Sequence, residues 1–175
     1  MIRLLTLLIF TSTLVTAQKM TVEKSKVVFF SDAAIEDITA DNKKASGLFN
    51  QDNGEIVFSI PMSAFKFAKA LMQEHFNEKY MESEKFPKAT FQGKVEGYNK
   101  NLNSQSVKAI GKMTIHGVTK DVEIPGTITK QGNKLQMNTK FMVKLADYNI
   151  TIPQLLWQNI AEQVEVTADF TFKPQ

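Results

Sequence analysis

The sequence predicts an all-β protein, a single antiparallel β-barrel of about eight strands with one or two short helices covering an end or a side. Three observations carry this. Nearly everything from Met20 onward alternates apolar and polar residues with period two, the mark of strands with one buried face. The alternating runs recur at short, even spacing with turn residues between them. Two segments break the alternation, and both are short and strongly apolar.

In chain order, residues 22–31, 45–49 and 55–60 open the series, the third with Ile56, Phe58 and Ile60 on one face. Asp52-Asn53-Gly54 marks the turn before it. Residues 63–81 then change period: Phe65, Ala68, Leu71, Met72, Phe76 and Tyr80 fall three and four apart, an apolar helical stripe. Ser63 is placed to cap its start, and Pro87 bars its continuation and sets Phe86 extended. Residues 89–96 form the next strand, with a turn over 99–103. Residues 106–115 put Val107, Ala109, Gly111, Met113 and Ile115 on one side, and His116-Gly117 turns the chain into 118–128. Gln131-Gly132-Asn133 leads to the row Leu135, Met137, Thr139, Phe141 and Val143. Residues 153–160, with Leu155, Leu156, Trp157 and Ile160, predict a second short helical turn. The last strand, 163–172, sets Val164, Val166, Ala168, Phe170 and Phe172 against Glu165, Thr167, Asp169 and Thr171.

The first residues predict export. Arg3, the apolar run 4–15 and the small-residue pattern Val15-Thr16-Ala17 form a cleavable signal peptide over 1–17. That run falls short of the roughly 20 apolar residues needed to span a bilayer. The expected mature domain is 18–175, periplasmic or secreted, and no later stretch is long and apolar enough to cross a membrane. There is no cysteine, so the exported domain stands without disulfides and without a lipidated N-terminal Cys.

Charge excludes one class of partner. Arg3 is the only arginine, so every basic residue of the mature chain is a lysine, scattered among 18 acidic residues. Nucleic-acid readers favour the planar fork of arginine, and no nucleic-acid partner is expected. Catalysis finds no purchase either. There is no G-x-S-x-G elbow, no cysteine nucleophile and no phosphate-binding glycine loop. The carboxylate pairs Glu82/Glu84 and Asp121/Glu123 sit beside Lys85 and Lys120 as plain surface charge. His75 and His116 are too few, with no cysteine, to build a zinc site. His75 reads as a helix-boundary residue, and a local hydrogen bond accounts for His116 in its turn. No catalytic residue, metal or cofactor is expected, and the chain is read as a non-enzyme.

The apolar inventory is the salient feature. There are 13 Phe against 3 Tyr and 1 Trp, and Phe goes where no hydrogen bond is needed. The methionines would suit either a packed core or a wall that adapts to a mobile ligand. A barrel of this size holds side chains or one ligand, and the alternation leaves both open.

The helix carrying His75-Phe76-Asn77, the run Lys85-Phe86-Pro87-Lys88-Ala89-Thr90-Phe91 and the hairpin 111–120 (GKMTIHGVTK) together resemble the signature blocks of the YceI-like family. Asp121 stands where the family usually has Pro, and the opening strand lacks the usual His. The resemblance implies a lipocalin-like barrel around a long apolar tunnel. It implies a carrier or sequestering protein for an isoprenoid, an isoprenoid quinone or a fatty-acid derivative. The expected cavity residues are Phe58, Phe65, Phe67, Leu71, Phe76, Phe91, Met113, Ile115, Phe141, Ile152 and Trp157. The alternative is an exported interaction protein with a filled barrel and no small-molecule ligand. Oligomeric state stays open, a homodimer being one option.

Overall fold

The computed structural model describes residues 19–32, 37–152 and 161–175. Its strands are β1 (Lys19–Ser31), β2 (Ile38–Asn42), β3 (Ser46–Asn50), β4 (Glu55–Pro61), β5 (Lys66–Phe67), β6 (Lys88–Glu96), β7 (Ser104–Ile115), β8 (Val118–Gln131), β9 (Lys134–Lys144) and β10 (Gln163–Pro174). One helix, α1, spans Ala70–His75 and runs into a π-helical turn over Phe76–Tyr80. Eight strands close an antiparallel barrel in the order β1-β3-β4-β6-β7-β8-β9-β10, with β10 returning to β1. These are the eight segments that alternate in the sequence. Each strand of the ring pairs with both neighbours, which covers its edges, save along a β8–β9 split beyond Gly126↔Thr139, where that ladder stops.

Strand β1 explains why its alternation is the least regular. Its pairing with β10 runs Val22↔Phe172 and then Lys24↔Thr171, so Glu23 is an extra residue in a bulge. The bulge switches the inward set from Met20 and Val22 to Val27, Phe29 and Ser31. The other edge of β1 is shared, with β3 at its start and β2 at its end. Strand β2 was not visible in the sequence because its innermost residue is polar. Asn42 is 0% exposed, its Nδ2 donates to the Pro61 carbonyl at 2.8 Å, and its Oδ1 accepts from Lys44 N at 2.8 Å.

The expected helix 63–81 is corrected. Ser63 sits inside a 3-10 turn (Met62–Ala64) and makes no capping bond. Phe67 lies on β5, paired with Ala40 of β2, so Phe65 and Phe67 enter the core from extended backbone rather than from a helix. The helix starts only at Ala70, after an extended Lys69. The second expected helix, 153–160, lies outside the described residues, as does the expected signal peptide 1–17.

The barrel has two unlike halves. At the end holding the turns after β3, β6 and β8, Met20, Phe49, Leu135 and Phe172 are buried side by side, with Tyr98 against Phe49 at 5.1 Å between ring centroids. This half is filled. The other half carries α1 and is hollow.

Candidate functional site: an apolar cavity under α1

A cavity of about 600 Å³ occupies the hollow half. It is floored by Phe58 and Phe170, stacked at 4.2 Å, whose contacts with Phe172 pass into the filled half. The alternating rows supply its sides. Val107, Ala109, Met113 and Ile115 come from β7, and Val164, Val166 and Ala168 from β10. Every one of these is apolar because each strand turns its period-two face inward.

Its roof is aromatic. Phe29, Phe65, Phe67 and Phe76 form one cluster, with Phe29 stacked on Phe76 at 5.5 Å and Phe67 tilted on Phe76 at 5.0 Å. The π-turn is what brings Phe76 down onto the roof, and Asn77 holds it. Asn77 Nδ2 donates to the Gln73 carbonyl at 2.9 Å, and its Oδ1 accepts from Ser83 Oγ at 2.8 Å. Leu71 lies at the rim, 59% exposed, an apolar side chain on the outer lip of an apolar chamber.

Of the eleven expected cavity residues, nine line it: Phe58, Phe65, Phe67, Leu71, Phe76, Phe91, Met113, Ile115 and Phe141. Ile152 is half-buried and is not among the described residues of the wall. Trp157 lies outside the described residues. The expectation omitted Phe29 and Phe170. Phe170 belonged to the clearest alternating row of the sequence and could have been included on that ground. Phe29 was obscured by its neighbour Phe30 and by the Glu23 bulge, which together blur which of the two faces inward.

His75 also borders the cavity, half-buried at the end of α1. His116 does not. It takes φ 50° and Gly117 φ 75°, the left-handed pair that closes a two-residue hairpin. Its hydrogen bond is not local: Nδ1 donates to the Tyr148 carbonyl at 3.2 Å, across to the 3-10 turn after β9. The ring packs edge-on against Phe86 at 4.5 Å, and Nε2 lies 3.6 Å from Glu82. His116 therefore ties three segments together near the hollow end, a structural role. Among the described residues, no group of three or more His, Asp and Glu side chains could hold a metal. No helix among them is long and apolar enough to cross a membrane.

Comparison with known proteins agrees with this architecture. A model of the YceI-like domain matches residues 18–172. A UPF0312 protein of Yersinia pestis is 36% identical over 73 residues, a stretch covering 38% of this chain and 36% of that relative, so the likeness spans little more than a third of its length. Among solved structures, a polyisoprenoid binding domain from Saccharophagus degradans, implicated in plant cell wall breakdown, superposes with a TM-score of 0.76 at 16% identity, covering 89% of this chain and 98% of that one. Burkholderia cenocepacia BcnA superposes at 0.72 with 20% identity, covering 84% and 95%. At these identities the likeness is one of fold.

Proposed function

The chain belongs to the YceI-like domain family, and from that premise we propose that it binds a long-chain apolar ligand, an isoprenoid, isoprenoid quinone or fatty-acid derivative, without transforming it. The cavity carries this reading: about 600 Å³, lined mostly by apolar side chains and roofed by aromatic rings. That volume lies in the range of small-molecule sites, roughly 300–1,000 Å³. Each methylene moved from water into such a wall is worth about 0.8 kcal/mol, so a long tail is held without any polar anchor. The fold likeness to a domain described as polyisoprenoid-binding supports the same ligand class. With the signal-like residues 1–17, the reading becomes a periplasmic or secreted carrier.

Native mass spectrometry of the gently purified protein tests it. The expected result is a bound species of roughly several hundred daltons, the size of a lipid or other pocket-filling ligand, released on denaturation. Phe91→Asp and Met113→Asp, each checked for a retained β-sheet spectrum, should lose that species. A bare polypeptide mass that stays bare after incubation with isoprenoids and fatty acids would favour the interaction-protein alternative.

A further inference from the structure

One ladder of the ring is left unfinished. The β8–β9 pairing runs from Gln131↔Lys134 to Gly126↔Thr139 and stops, although β8 extends back to Val118 and β9 on to Lys144. The next residue of β8 supplies the reason. The Pro125 carbonyl accepts from Thr139 Oγ1 at 2.6 Å, so it is turned toward β9. A residue of an antiparallel strand sends its N–H and its C=O to the same neighbour. Proline has no N–H, and the ladder lacks the donor with which to continue.

Beyond this point a recess of about 290 Å³ lies between the strands, and the turn Leu145–Tyr148 closes its far end. There the Tyr148 carbonyl accepts from His116 Nδ1 at 3.2 Å, which ties that turn to the tip of the β7–β8 hairpin. Met113, Ile124, Phe141 and Val143 border both the recess and the main cavity, so their side chains form the partition. Three of the four are buried, and Phe141 is half-buried. Both flanks are firm. β8 is paired to β7 from Val118 to Thr129, and β9 to β10 from Leu135 to Lys144. The split is a soft line between two fully laddered strand pairs.

We infer that the β8–β9 split is a side gate of the cavity, kept unpaired by Pro125 and shut by Phe141, through which an apolar chain passes while the Phe76 roof stays closed. This rests on the cavity being a lipid site. The chain has no cysteine, so Glu123→Cys/Met142→Cys, two exposed positions on the lips that do not line the cavity, can be joined by a short bis-maleimide. Stopped flow then follows loading and release of cis-parinaric acid, a fluorescent fatty chain. The joined protein should exchange the probe more slowly by roughly tenfold or more in both directions, with its equilibrium affinity unchanged, because a gate sets rates. The same join across the complete β7–β8 ladder, Lys112→Cys/Asp121→Cys, should leave both rates as they are. Pro125→Ala restores the missing donor and should slow exchange in the same sense. Exchange at the wild-type rate in that variant would overturn the part given to proline. Unchanged rates in the joined protein, or equal slowing in the control, overturn the gate and leave the apolar site standing. A probe that binds neither wild type nor variant overturns the lipid reading with it.

Discussion

Gly93 of β6 and Gly111 of β7 face each other across the ladder, and a Cβ added to either would lie 2.3 Å from a backbone carbonyl oxygen of the opposite strand. The strands can approach so closely only because neither residue has a side chain.

Gly111→Ala should therefore be destabilising by about 1–3 kcal/mol, the usual range for overpacking. Gly132→Ala is the contrast. Its added Cβ meets nothing within 4 Å, and only the left-handed φ of 62° is strained, which costs about 1–2 kcal/mol. Denaturant unfolding ranks the two, and an unshifted midpoint for Gly111→Ala would contradict the close approach.

Asn42 seals the junction of β2, β3 and the end of β4 from a fully buried position. Asn42→Ala strands the Pro61 carbonyl and the Lys44 N–H, and about 1–3 kcal/mol of stability should go with them. Amide exchange at Lys44 should rise well before global unfolding. Protection at wild-type level would mean the side chain is dispensable.

Phe76 closes the roof by contact with Phe29, Phe65 and Phe67. Phe76→Ala removes three ring contacts, each pair worth about 0.5–1.5 kcal/mol, and should speed release of a bound lipid by roughly tenfold or more. Stopped-flow displacement reads the rate. Release at the wild-type rate would move the exit away from α1, toward the β8–β9 split.

All three tyrosines, Tyr80, Tyr98 and Tyr148, have phenols held above their ordinary pKa by burial, with the charges of Asp52 and Asp147 adding to the effect at Tyr98 and Tyr148. The folded state keeps these protons while the unfolded chain gives them up. Stability is thus unaffected below the ordinary phenol range, about 10, and falls as pH climbs above it. Phenolate absorbance should appear later in the native protein than in urea. Coincident titrations would show that the rings are wet.

The rows of β6 to β10 were legible because each strand has one wet and one dry face, which is all that period-two patterning encodes. What escaped the pattern had a local cause in each case. A bulge at Glu23 shifted the inward set, an inward Asn42 disguised β2, and Phe65 mimicked helical spacing on extended backbone. The cavity residues were mostly legible as a set, since a wall and a core use the same side chains. Which half is hollow was not, because that depends on where Phe58 and Phe170 meet in space. Nor was the β8–β9 split, which leaves Val118-Thr119-Lys120-Asp121-Val122 looking like an ordinary hairpin arm.

The seam between β1 and β10 also sets an order of events. It joins the two most distant strands of the described chain, from Met20↔Pro174 to Phe30↔Glu165. Until β10 has been made, β1 and β9 each present an unsatisfied edge, and the hollow half has no fourth side. Contacts of such long sequence separation are formed late and slowly. The nascent chain therefore passes through a stage with an open sheet and an apolar interior exposed, and it is during that interval, rather than after closure, that the protein most needs shielding from aggregation.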